Sequence, residues 1–336
     1  MSYHLFVAEY NHIPVVKLEN KSTGEYAIIA LRGATLLKLV IRTGEKLIDV
    51  VDGYFDVKEL ESGSAARSAI MVPFSNKIEN NRYVFDDCDY QLSETPTPPM
   101  MHGFLRNMDT EIKEKYDCSS HCKVVLTNSG IRKDTFPGYP FDLSTDIIFE
   151  LFENRLNLEI RSKNKSTKPA PYFTGWHPYF KIGSTPVNDH IICLESETII
   201  STDANYLPLP GNEAYLKIGL ADPRCFSSRK KPVERRINDK IINYCYTSIE
   251  PDSDGRIKAE LISESENTKL KLSHTGKVFY IFTGDGLPIR PRNSIALEPV
   301  ELMTNAFNRS EHTMDIRLLP EESKTFFCSL EWSPLK

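Results

Sequence analysis

Apolar and polar residues alternate with a period of two along much of the chain. In RLNLEIRS, Leu156, Leu158 and Ile160 fall on one side, and Asn157, Glu159 and Arg161 on the other. Successive side chains of a strand point to opposite faces, so this pattern predicts a half-buried strand. The preceding run TDIIFELF ends at Glu153-Asn154, and the two runs together predict an antiparallel hairpin. The same reading pairs RIKAELIS with KLKLSHT across the polar turn 264–267. Further strands are expected over 26–29, 36–41, 123–127, 188–194 and 277–282. Convincing long helices are missing, and only 54–61 carries a short helical spacing of apolar residues.

Twenty-one prolines and many Asn, Asp, Ser and Gly turns suit an all-β chain with long loops. No linker rich in Gly or Ser interrupts it, and no repeat at solenoid or propeller period is present. The expectation is a large, mostly antiparallel β-sandwich with few short helices, continuous over residues 1–336.

Composition narrows the function classes. The hydrophobic share of 40% supplies a sizeable core. A formal net charge of −5 lacks the basic footprint of a general nucleic-acid binder. The run Arg229-Lys230-Lys231, followed by Glu234, Arg235 and Arg236, reads as a solvated loop. No stretch of about 18 apolar residues occurs, which argues against a transmembrane helix. The segment MSYHLFVAEYNH lacks the basic and apolar regions of a signal peptide, so a cytoplasmic location is the expectation. Seven cysteines, odd in number and scattered, suit reduced thiols. Cys118, His121 and Cys122 form the one local cluster of metal-ligating types. No second ligand pair sits at zinc-site spacing, so it reads as a polar turn between strands.

Four stretches join unusual polar residues to strand-like surroundings: PFSNKIENNRYVFDDCDYQL, MHGFLRN after the proline-rich loop 95–99, FTGWHPYFKI, and IALEPVELMTNAFN. Taken singly, each has a bland reading. His102 before Gly103 reads as a loop residue, His177 as a packed histidine, and Asn76-Lys77 as a turn cap and a surface charge. Glu298 reads as a rim carboxylate, because Pro299 cannot continue a central ladder and is expected to end the strand. Taken together, His102, His177 and Glu298 make an acid/base set, with Trp176 and Tyr179 as a surface for the apolar face of a sugar.

The ordered pieces resemble the aldose 1-epimerase (galactose mutarotase) family over nearly the whole chain. They are Gly33-Ala34, Asn76-Lys77-Ile78, Tyr90-Gln91-Leu92, His102-Gly103-Phe104, His177-Pro178-Tyr179-Phe180, Glu298-Pro299 and Asn305-Ala306-Phe307-Asn308. The resemblance implies a galactose mutarotase-like β-supersandwich whose open cleft takes a free aldohexose. It implies no metal or organic cofactor for the chemistry; with charge and hydropathy arguing against nucleic acid and membrane, the expected partner is a small sugar, bound by a monomer or homodimer. It also implies roles: Glu298 as general base, His177 as general acid, His102 assisting at the ring oxygen. Asn76, Lys77, Asn243, Trp176 and Tyr179 are the expected substrate-binding residues.

Two matched positions depart from the family. Lys77 stands where an arginine is usual, which replaces a planar two-pronged donor by a point charge. Asn243 stands where a substrate-binding aspartate is usual, so that position can hydrogen-bond a hydroxyl but carries no charge. Two alternatives stay open at this point. One is a non-catalytic sugar-binding module. The other is a hexose-6-phosphate 1-epimerase, for which Arg82 and Arg106 are the phosphate candidates. For the acid/base pair, the nearby carboxylate is expected to outweigh burial in the sugar-bound site and keep His177 charged.

Overall fold

A computed structural model describes residues 2–95 and 97–335; Pro96, within the proline-rich loop, lies outside the described residues. Antiparallel strands carry the architecture, and α-helix among the described residues is confined to Val57–Ser62 and Pro232–Arg235. The chain opens with a five-stranded meander: Tyr3–Tyr10, Ile13–Asn20, Glu25–Ala30, Leu36–Thr43 and Lys46–Asp49. An eight-stranded sheet follows, with Leu143–Phe152, Arg155–Asn164, Ser323–Pro334 and Thr268–His274 adjacent in its middle. The first two strands of the meander lie against its Glu111–Asp117, Cys122–Ile131 and Leu143–Phe152 strands. A six-stranded sheet runs in the order Tyr179–Phe180, Ile295–Val300, Val278–Phe282, Asn243–Thr247, Thr198–Ile200, Tyr215–Lys217. One buried apolar cluster runs through all three sheets. Among the described residues, no helix is long and apolar enough to cross a membrane.

Both expected hairpins form, closing at the Phe152↔Arg155 and Ser263↔Thr268 pairs. Leu156, Leu158 and Ile160 are buried as the alternation requires. Asn157, expected on the open face, is buried as well and accepts a 2.9 Å bond from Ser329 Oγ on the neighbouring strand. The helix expected over 54–61 starts later, at Val57. Asp56 caps it by accepting the Glu59 N–H at 2.8 Å, and Gly63 ends it in the left-handed region.

Three expectations are corrected. The strand expected over 188–194 is confined to Ile191–Leu194, because Val187–Asp189 forms a 3-10 turn after Pro186. The segment 229–236 is not simply solvated. Lys230 and Arg235 are buried, with Lys230 Nζ on the Asp222 carbonyl and Arg235 Nε on the Lys230 carbonyl. The strand carrying Glu298 does not end at Pro299 but runs to Val300, with Pro299 opposite Phe279. The N–H groups of Leu297 and Glu301 point away from that neighbour, to the Pro178 and Thr174 carbonyls. Alternation therefore puts the missing donor of Pro299 on the same outer side, where it removes no bond from the Val278–Phe282 ladder. The turn at Cys118–His121 joins two strands as expected, and Cys122 faces the core.

One buried charge network fastens the meander to the six-stranded sheet. The Asp52 N–H donates to the Tyr179 carbonyl at 2.9 Å. The fully buried Asp52 carboxylate accepts from Arg67 Nη1 at 2.5 Å and Ser294 Oγ at 2.6 Å on one oxygen, and from Arg290 Nη1 at 2.6 Å on the other. Arg290 also reaches Glu59 on the short helix at 2.6 Å. Removing one partner of a buried ion pair leaves the other charged and unpaired, which costs about 3–5 kcal/mol. Asp52→Ala is therefore expected to lower the urea unfolding free energy by about that amount. An unchanged midpoint in chemical denaturation would show that the network is not a structural anchor.

Candidate active site

His102 sits in a left-handed turn with φ 62°, followed by Gly103 at φ 64°. A Cβ on Gly103 would stand 2.1 Å from the Val72 carbonyl oxygen, so this approach of loop to strand is open to glycine alone. Two bonds staple the turn to the Asn76 loop. The His102 N–H donates to the Asn76 carbonyl at 2.9 Å, and the Asn76 N–H donates to His102 Nδ1 at 3.1 Å. Nδ1 is thereby the acceptor, and the ring proton falls on Nε2. Met71 Sδ lies 2.9 Å from the same Nδ1. Asn305 and Lys77 add to the frame, with the Asn305 N–H on the Lys77 carbonyl at 3.1 Å and the Glu79 N–H on Asn305 Oδ1 at 3.0 Å.

His177 lies where the chain changes sheets. Trp176–His177 pairs with Ala69–Ile70, and after Pro178 the chain pairs Tyr179–Phe180 with Ile295–Ala296. Glu298 stands on that same Ile295–Val300 strand, opposite Tyr280, which is itself opposite Cys245. The result is convergence across more than 190 positions of sequence. His177 Nε2 is 3.3 Å from Glu298 Oε1. The His102 and His177 ring centres are 5.0 Å apart and nearly perpendicular. All three side chains are buried, each with 5–6% exposure.

The expected binding residues divide. Asn76 and Lys77 are partly exposed beside His102, and Lys77 Nζ donates to the Asn205 carbonyl at 2.5 Å. Asn243 is exposed and opposite Phe282, two residues along the strand from the Cys245–Tyr280–Glu298 row and so on the same face. Two strand spacings, about 10 Å, separate it laterally from the Glu298 strand. Trp176 and Tyr179, expected as a sugar-stacking surface, are 1% exposed each and present no open face. Tyr179 instead supports His177 from within: their rings stack at 5.1 Å and 22°.

Two residues near the centre carried no sequence signal. Arg67 lies in the unremarkable run GSAARSAI, yet its guanidinium sits 4.9 Å from the Tyr179 ring centre while bound to Asp52. Tyr280 shares the Glu298 face and exchanges bonds with Thr304, whose N–H reaches its hydroxyl at 2.6 Å.

Burial sets the protonation of the pair. Desolvation pushes the Glu298 carboxyl up to about 8. Desolvation also pulls His177 down to about 3, with Arg106 and Arg67 adding positive charge in the same direction. His102 is held well below its ordinary value, first by burial and then by the positive charge of His177 and Arg106. In the free protein His177 is thus neutral; the expectation of a charged His177 concerns the sugar-bound site. At neutral pH the pair holds one proton, and Glu298 carries it.

Comparison with known proteins adds the following. The family model described as aldose 1-epimerase matches residues 14–331. The uncharacterized Escherichia coli K12 protein YihR is 30% identical over 142 residues, which is 41% of this chain and 44% of that protein. The matched stretch thus spans less than half of that relative. The GalM/aldose epimerase homologue of C. elegans superimposes with a TM-score of 0.80 at 17% identity, covering 99% of this chain and 100% of that one. Galactose 1-epimerase from Lactobacillus acidophilus NCFM gives 0.80 at 16% identity, covering 99% of each chain. At these identities the two structures establish the shared fold.

The displaced protonation has a consequence for stability. Between 4.5, the ordinary Glu value, and about 8, the folded state keeps a Glu298 proton that the unfolded chain has lost, so stability falls as pH rises. Between about 3 and 6.5, the folded state lacks a His177 proton that the unfolded chain holds, so stability rises with pH. The slopes oppose each other from 4.5 to 6.5, and the Glu298 loss stands alone from 6.5 to about 8. Glu298→Gln removes the Glu298 slope. The stability of the wild type relative to this variant is expected to decline steadily from pH 4.5 to about 8 in urea titrations. A difference independent of pH would show an ordinary carboxylate.

Proposed function

The chain belongs to the aldose 1-epimerase family, and we propose that it interconverts the α and β anomers of a free aldohexose by acid/base opening and closing of the sugar ring. The observation that carries this reading is the 3.3 Å contact between His177 Nε2 and Glu298 Oε1, with the His102 ring 5.0 Å from that of His177. Mutarotation needs one group to take a proton from the anomeric hydroxyl and another to give one to the ring oxygen. Both oxygens hang on the same carbon, so the two groups must be close neighbours, as Glu298 and His177 are.

In the proposed cycle, Glu298 takes the O1 proton while His177 gives a proton to the ring oxygen. The bond from C1 to the ring oxygen breaks and C1=O forms. Rotation about C1–C2 presents the other face of the carbonyl. Closure reverses both transfers, returning the proton to O1 from Glu298 and the ring-oxygen proton to His177. One proton on the pair therefore suffices, and none is consumed. The free protein holds that proton on Glu298. Sugar hydroxyls entering the dry site supply dipoles that favour the carboxylate–imidazolium arrangement, and the proton crosses the direct contact to His177. His102, with its Nε2–H directed by the Asn76 bond, donates at the ring oxygen. Asn76, Lys77 and Asn243 hold hydroxyls farther from C1.

The two phosphate candidates are each engaged with protein groups. Arg82 is exposed and paired with Asp89, and Arg106 donates to the Gly63 carbonyl at 3.2 Å. Each guanidinium has a protein partner of its own, which supports a free sugar over a phosphorylated one.

Polarimetry on freshly dissolved α-sugars tests the reading. The wild type is expected to accelerate equilibration of a free aldohexose, and Glu298→Gln to lose at least about 100-fold in kcat/KM while remaining folded. The wild-type kcat/KM should also fall above a pH of about 8, where the pair loses its only proton. Saturable sugar binding without any acceleration would mark a binding module instead.

A further inference from the structure

Trp176 and Tyr179 are buried, so neither offers an open aromatic face to a pyranose. An exposed aromatic stands on a neighbouring loop. The strand Thr198–Ile200 pairs Thr198 with Thr247 and Ile199 with Tyr246, which brings Ile200 level with Cys245, Tyr280 and Glu298. Three strand spacings, about 14 Å, separate it from the Glu298 strand. The loop that leaves Ile200 therefore starts from the row that carries the catalytic carboxylate.

That loop returns across the sheet to the His102 side. Its tip is a compact turn: Asp203 Oδ1 accepts the Asn205 N–H at 2.8 Å and the Leu207 N–H at 2.9 Å. Its far arm is fastened by the buried Arg309, which donates to the Leu209 and Gly211 carbonyls at 3.0 and 3.1 Å. Its tip is held by Lys77, whose Nζ meets the Asn205 carbonyl at 2.5 Å and lies 5.7 Å from the Tyr206 ring centre. Lys77 in turn follows Asn76, the residue that fixes His102. Tyr206 is 57% exposed and adopts φ 59°. A bulky side chain in the left-handed region is uncommon, and such strained positions gather at ligand clamps.

We infer that Tyr206 is a substrate-contacting residue. Its ring covers the apolar face of an aldohexopyranose lying over the Tyr280–Glu298 floor, and Lys77 sets the position of the loop that presents it. The inference rests on the mutarotase reading for the identity of the sugar. An aromatic face matches the C–H face of a pyranose, while the two Lys77 donors not used by Asn205 stay available to its hydroxyls. A lysine suits this double duty, since its ammonium directs three separate donors where a guanidinium is one planar fork.

The test compares wild type, Tyr206→Ala and Tyr206→Phe by polarimetry, and by calorimetric titration with the sugar that the wild type turns over or binds. Tyr206→Ala is expected to raise KM and Kd about tenfold with an unchanged unfolding midpoint, and Tyr206→Phe to restore both. Wild-type KM and Kd in Tyr206→Ala would overturn the inference and leave the mutarotase reading intact. Wild-type binding without turnover, weakened in Tyr206→Ala, would retire the mutarotase reading and keep Tyr206 as a sugar contact. A wild type that binds no aldose at all would overturn both.

Discussion

A carboxyl and an imidazole in contact, shut away from water, are the feature on which everything else at this site depends. In water Glu298 and His177 would separate their charges and titrate independently. Buried at 3.3 Å they hold one proton between them, because desolvation penalises each charged form. That single proton is what the proposed anomeric exchange requires, one group full and one empty. The fold can be understood as the means of keeping the pair together and dry.

Three supports hold it. The change of sheets at Pro178 brings His177 beside the strand that carries Glu298. The Asn76–His102 staple directs the second imidazole, and Gly103 permits the close packing that the staple needs. Beneath lies the Asp52–Arg67 network, with Arg67 over Tyr179 and Tyr179 stacked on His177. One of the positive charges felt by His177, after that of Arg106, is thus the positive end of a satisfied ion pair. It opposes protonation of His177 without opposing the carboxylate.

Much of this was legible from residues alone, and what was not has physical reasons. Strands and hairpins follow from period-two alternation, which is a local property. The motif pieces are legible because their aromatics are structural: Phe104, Tyr83 and Phe307 pack in one cluster with Phe74 and Phe173. Burial of the second face was not legible, as Asn157 shows, since alternation does not reveal whether another layer covers the polar side. The inward orientation of Trp176 and Tyr179 escapes the sequence for the same reason. Beside a histidine they suggest a sugar wall, and only packing reveals a wall that faces inward. Arg67 was invisible because its partner Asp52 and its stack on Tyr179 are long-range. The Pro299 expectation failed because the rule concerns which edge loses a donor, and sequence does not say which edge faces the neighbour.

Nitrogen-resolved NMR of His177 in the free protein tests the shared proton most directly. A neutral imidazole is expected from pH 7 down to about 4, with protonation only near 3. An imidazole that titrates near 6.5, as an ordinary histidine does, would contradict it.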